Sequence, residues 1–109
     1  MVPATETVLG GTRLDQVTVT ADGEHRTDAA GQAVYVLKGF ALDGLVPQDS
    51  PVVGAWRTDP AGAFPALIWF EGSSWQCDAV IEAIEHGAGP DGYVRCHVRS
   101  TGDVTRAHP

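Results

Sequence analysis

From Gln16 to Ala21 the chain alternates in polarity and is rich in β-branched residues (Val17, Thr18, Val19, Thr20), and this two-residue period predicts a strand. The Asp22-Gly23 pair that follows is turn chemistry and is expected to end it. Thr27 to Gly31 makes a second break. Gln32 to Leu42 is apolar at both parities, as in a strand buried on both faces or a long strand that bends at Gly39. Asp43-Gly44 and then Val46 to Pro51 interrupt the pattern, and Pro51-Val-Val-Gly-Ala-Trp56 reads as a short strand. Arg57 to Pro65 contains Pro60, Gly62 and Pro65, which predicts neither helix nor regular strand but a long projecting loop.

Ala66 to Glu71 is strand-like, with Gly72-Ser73 as the turn into Ser74 to Val80. Read as a hairpin, Trp75, Cys77, Ala79 and Ile81 share one face, and Ser74, Gln76 and Asp78 share the other. A helix competes over the same residues. Ser73 and Gln76 make a capping box, Gly87 is a suitable C′ residue, and Cys77, Val80, Ile81 and Ile84 would line one side. The strand is preferred because it buries Trp75; the helix over 74–86 stays open. Gly87 to Gly92 is a loop, and Tyr93 to Thr101 alternates as a closing strand.

The pattern predicts an all-β fold, a small barrel or sandwich of about six strands in one domain spanning 1–109. Residues 1–12 read as a polar N-terminal arm, 13–101 as the barrel and 102–109 as a C-terminal tail, so that deleting residues 1–10 is expected to leave stability unchanged. Closure is expected because apolar strands with open edges invite aggregation.

With 109 residues the chain has room for one core, and its 43% apolar content is that of a globular protein. Fourteen acidic residues against seven basic give a net charge of −7, which disfavours binding to phosphate backbones and favours solubility. Lys38 is the one lysine beside six arginines, a composition typical of GC-rich coding. No apolar run approaches the roughly 18–20 residues of a membrane span. The N-terminus lacks the basic flank and apolar stretch of a secretory signal, so the chain is expected to remain where it is made.

Chemistry-bearing clusters are sparse. Cys77, His86, Cys96 and His97 are the soft ligands nearest one another, but the one close pair, Cys96-His97, diverges across a strand, which argues against zinc. If the last hairpin pairs Ile84 with Tyr93, Ile81 faces Cys96 and Cys77 faces Ser100, leaving both cysteines as free thiols. Ser73 and Ser74 lie in no nucleophile elbow, and Glu85, His86 and Asp28 are scattered over what reads as solvated surface. No glycine motif cradles a phosphate. No enzymatic activity, cofactor or metal is expected. Trp56, Trp69 and Trp75 read as core before they read as a ligand cleft.

The segment Trp69-Phe-Glu-Gly72-Ser-Ser-Trp75-Gln-Cys-Asp-Ala-Val80 resembles the late hairpin of tailed-phage head-completion proteins, the head-to-tail stoppers. Trp56-Arg57 with Pro60-Ala-Gly62 is similar to the loop-bearing stretch of that family, Tyr93 to Arg99 to its closing strand, and Arg26-Thr-Asp28 before Gly31 to its early turn. The resemblance implies a non-enzymatic structural virion protein: a β-barrel forming a homo-oligomeric ring between the portal-adaptor ring and the tail, with a loop reaching into the DNA channel. Its partners would be other virion proteins, with no sequence-specific nucleic acid and no membrane. Arg57, Asp59, Phe64 and Pro65 are then the candidate projecting-loop contacts, because Phe64 and Pro65 are poor solvent-facing residues unless something covers them. The alternative is a small bacterial β-barrel that binds a ligand or a protein, and it would be cytoplasmic rather than part of a virion.

Overall fold

The computed structural model describes residues 2–3, 6–70, 73–87 and 89–107. Alternating and β-branched segments become strands almost throughout: β1 (Val2–Pro3), β2 (Glu6–Leu9), β3 (Thr12–Arg13), β4 (Asp15–Thr27), β5 (Ala33–Pro47), β6 (Ala63–Phe70), β7 (Ser73–His86) and β8 (Tyr93–Arg106). One helix, α1 (Pro51–Thr58), joins β5 to β6. The fold is all-β, as expected. The long hairpin is strand rather than helix, with Ile68 opposite Trp75 and Ala66 opposite Cys77.

All eight strands form one sheet in the order β1-β4-β5-β8-β7-β6-β2-β3. Its two ends are built from the same stretch of chain. Val2 pairs with Val19 on β4, whereas Glu6 to Leu9 pair with Trp69 to Ala66 on β6. Leu14, between β3 and β4, donates its N–H to the Thr7 carbonyl at 2.9 Å. Sharing one segment between both edges curls the sheet into a barrel and leaves few exposed edges.

The core takes alternate residues from each strand, as the two-residue period requires: Val17 and Val19, Leu37, Ala66 and Ile68, Ala79 and Ile81, Val94, Cys96 and Val98. Fully burying one such aliphatic side chain contributes about 1.5–3 kcal/mol.

Several expectations are corrected. Pro51 to Trp56 is helix, not strand. Ser50 is extended (φ −66, ψ 152), Pro51 occupies the first turn where a missing N–H costs nothing, and Val52 and Val53 turn inward to near-complete burial. Trp56 then donates its Nε1–H to the Ile81 carbonyl at 2.9 Å. That carbonyl lies past Val80, where pairing with β6 ends, and beside a bulge between Ile81 and Ala83. The helix therefore covers an edge of β7 that β6 leaves open.

The long Pro/Gly loop is also absent. Arg57 and Thr58 finish α1, the Asp59 carbonyl accepts from Gly62 N at 3.0 Å, and β6 starts at Ala63. Pro65 is tolerated within β6 because its carbonyl accepts from Gly10 N at 2.8 Å, a bond that needs no N–H of its own. Asp22-Gly23 runs within β4 opposite a bulge at Lys38 of β5, not as a turn, and β5 continues through Asp43-Gly44. The β4–β5 turn lies at Asp28, whose carboxylate accepts from Ala30 N and Gln32 N at 2.9 Å each.

Nor are both termini arms. Residues 6–9 and 12–13 lie in the sheet and β8 continues to Arg106, which raises the strand number from six to eight. Leu9 is 1% exposed, so removing residues 1–10 deletes part of the core rather than a dispensable arm. Met1, Ala4, Thr5, His108 and Pro109 lie outside the described residues. The last hairpin pairs Ile84 with Cys96 and Ile81 with Val98, not Ile84 with Tyr93. Both cysteines are nevertheless free, as expected.

Thr7 points into the barrel with Leu9, and its Oγ1 finds no hydrogen-bond partner among the described residues. Thr7→Val keeps the shape and removes a desolvated hydroxyl, so it should stabilise the fold by about 1 kcal/mol, read from the urea midpoint. A loss of similar size would show that the hydroxyl is bonded in solution.

Candidate interaction surfaces

The four sequence-selected contact residues do not converge. Arg57, Asp59 and Pro65 are exposed, Arg57 in the last turn of α1 and Pro65 on the outer face of β6. Phe64 is half-buried and packs on the core, its ring beside Gly10. Of the tryptophans, Trp75 is buried, Trp56 packs against the core, and Trp69 is 40% exposed on the outer face.

Two surfaces stand out instead. The first is an arm. Pairing of β5 with β8 stops at Ala41 opposite Arg99, and the next N–H, that of Phe40, bonds to Ser100 Oγ at 2.9 Å. On its other side, among the described residues, β4 meets β1 at Thr18 and Val19. Asp22–Thr27 and Ala33–Gly39 therefore continue past that pairing as a two-stranded ribbon, anchored at its base by Leu37 in the core, and help stretch the molecule to 49 × 25 × 19 Å. Such a ribbon is marginal alone and needs packing along one face.

That packing comes through Tyr35. Its ring meets His25 edge-on at 5.1 Å and Trp75 at 6.3 Å, while the Arg106 guanidinium lies 5.4 Å from the Trp75 ring. The opposite face of the ribbon carries Asp22, Glu24, Arg26, Val34, Val36 and Lys38. Glu24 pairs with both Arg26 and Lys38. The Arg26 guanidinium, helped by the Lys38 ammonium, holds the Glu24 carboxyl below its ordinary value. With Asp22 beside them, two carboxylates and two cations balance on this face.

The second surface is a groove of about 520 Å³ on the outer face of β2, β6, β7 and β8. It exists because the β7–β8 ladder jumps from Gln76 opposite Thr105 to Asp78 opposite Thr101, so Cys77 faces the bulged Gly102, Asp103 and Val104. Gly102 makes the bulge possible with a φ of +70. Val8, Pro65 and Leu67 form an apolar side, and Asp78 and Asp103 supply the charge. No Lys or Arg lines it. Elsewhere the outer sheet carries cross-strand pairs: Asp43 with Arg95 (2.8 Å) and Thr18 (3.2 Å), and Glu85 with His97 (2.9 Å).

Cys96 is buried inside while its neighbour His97 lies outside on Glu85, the divergence expected of adjacent strand residues. Burial pushes the Cys96 thiol up to about 11; burial, then the Asp78 carboxylate, does the same to Cys77. Because the folded state holds these protons more tightly than the unfolded chain, the associated stability is fully present below about pH 8.5 and is lost as pH rises towards 11. Urea midpoints should therefore hold steady from pH 7 to 8.5 and fall between pH 9 and 11, and a Cys77→Ala/Cys96→Ala protein should show a smaller alkaline drop. A thiol reagent should count two thiols in denaturant without reductant.

No protein family and no curated protein matches the sequence. Two solved structures match the fold. Hcp1 from Flavobacterium johnsoniae aligns with 96% of this chain and 95% of its own at 13% identity and a TM-score of 0.56. A chain from the virion of a native gene transfer agent particle aligns with 96% of this chain and 85% of its own at 12% identity and a TM-score of 0.51. The chain shares their fold. Because each likeness spans nearly the whole chain, it covers arm, groove and helix together rather than a common hairpin alone. No described helix is long and apolar enough to cross a membrane.

Proposed function

We propose that this chain is a non-enzymatic structural component of a phage-type particle, acting as one subunit of a ring on the head–tail axis. The observation that carries the reading is the fold match, over nearly the full chain, to a protein of the gene transfer agent virion. The stopper-like pattern from Trp69 to Val80 supports a place at the head–tail junction, between a portal-adaptor ring and the tail. The arm supports assembly independently, since a two-stranded ribbon with an unpaired outer edge is a ready surface for another subunit. Arg57, Asp59 and Pro65 remain candidate contacts to neighbouring rings, being exposed near the helical end of the barrel.

Native mass spectrometry and negative-stain microscopy of the full chain, alone and with any portal and tail proteins encoded beside it, test the reading. Rings, or incorporation into a portal or tail complex, are expected. A strict monomer under all these conditions, with a small molecule held in the groove, would replace it with the binding-module alternative.

A further inference from the structure

We propose that the cleft between β5 and β8 receives an extended segment of another particle protein, inserted as a further strand of the sheet. The inference rests on the virion reading for the source of that segment and on backbone pairing for its shape. β5 and β8 are neighbours in the sheet, yet their ladder stops at Ala41 opposite Arg99. Two features end it. The Ser100 hydroxyl takes the Phe40 N–H that the next rung would use, and beyond that point Lys38 bulges from β5 and Gly102 lies in the bulge of β8. From there on, among the described residues, β5 pairs with β4 alone and β8 with β7 alone.

A cleft of about 390 Å³ opens between the two strands. Val34, Tyr35 and Val36 line one side of it, and Val104, Thr105 and Arg106 the other. Tyr35, Val104 and Trp75 belong to or pack on the core, so an inserted strand would turn every second side chain onto an apolar, aromatic floor. The backbone selects a strand over a loose apolar group. Two facing strand edges present N–H and C=O groups from both sides, and an extended chain answers both at once. Because β5 and β8 run antiparallel, the guest lies parallel to one and antiparallel to the other. A second copy has no such strand to lend. All eight described strands belong to the one sheet, and the outer edge of β4 carries β5 behind it, so it can line one side of the cleft but cannot enter between two strands. The end strands β1 and β3 are two residues long. A terminus or loop of a different protein meets the requirement.

The test uses the full-length chain and a library of synthetic peptides about eight residues long, alternating Val, Leu or Phe with Thr, Ser or Gln. Main-chain bonding supplies the affinity, so several members should bind. A bound peptide should slow amide exchange at least tenfold in both 33–40 and 100–106, with 20–27 unchanged. Two N-methylated forms of the best peptide, one methylated at odd residues and one at even, should each bind at least tenfold more weakly, because the guest uses amides on both of its edges. Sensitivity to one form alone, or protection of one segment alone, would show addition to a single edge and overturn insertion. A library without binders would overturn it too, as would the same protection arising in the chain alone as its concentration is raised, which would assign the cleft to a second copy. The virion reading stands or falls separately, on whether rings or portal and tail complexes form at all.

Discussion

Trp75→Ala should lose about 3–5 kcal/mol of stability, the cost of truncating a large buried aromatic, a large part of the roughly 5–15 kcal/mol that a domain has. Trp75 is 3% exposed and sits opposite Ile68 in the β6–β7 hairpin. It is also the platform on which the arm rests, through Tyr35, and over which Arg106 lies. The variant should therefore show two effects: a much lower urea midpoint, and an arm more open to proteolysis near Asp28 under native conditions. Trp69→Ala is the control, because Trp69 is 40% exposed and should cost under about 1 kcal/mol. Equal midpoints for the two variants would mean that the barrel is not built around Trp75.

Gly23→Ala should detach the arm at smaller cost to the barrel. A Cβ at position 23 would lie 2.3 Å from the Tyr35 hydroxyl, 2.6 Å from its Cζ and 2.7 Å from the Val36 carbonyl oxygen. The side chain could swing away, but the carbonyl belongs to the paired strand and cannot move without opening the ribbon. Overpacking of this kind costs about 1–3 kcal/mol. The loss should appear as faster amide exchange across 22–38, with residues 41–47 still protected. Uniform loss of protection through both regions would show that arm and barrel unfold as one unit.

Gly23 also shows why the sequence misleads there. Asp-Gly between apolar alternations is hairpin-turn chemistry, yet here the glycine serves a close approach by Tyr35, and the turn falls at Asp28–Gly31. Local chemistry does not distinguish a turn from a strand position that makes room for a ring arriving from the next strand. The β6–β7 hairpin was legible because its alternation buries Trp75, Ala79 and Ile81 together, a choice the core enforces. Pro51–Trp56 carries a helix start in Ser50-Pro51 but a strand preference in Val52-Val53, which their burial against the barrel overrides. The groove could not be read at all, because a bulge depends on register between β7 and β8; Gly102 was the one local sign of it.

The sharing of the first strand between both edges of the sheet has a kinetic consequence. Glu6 finds Trp69 and Leu9 finds Ala66, partners that leave the ribosome long after the N-terminus does. β8, which lies between β5 and β7, is synthesised after both. During translation the growing chain can form the β4–β5 ribbon from neighbouring residues, but the barrel must wait for the whole chain and for a long loop to close. Folding should therefore be slow for its length, on the order of milliseconds to seconds, with the β4–β5 ribbon formed before the barrel is complete.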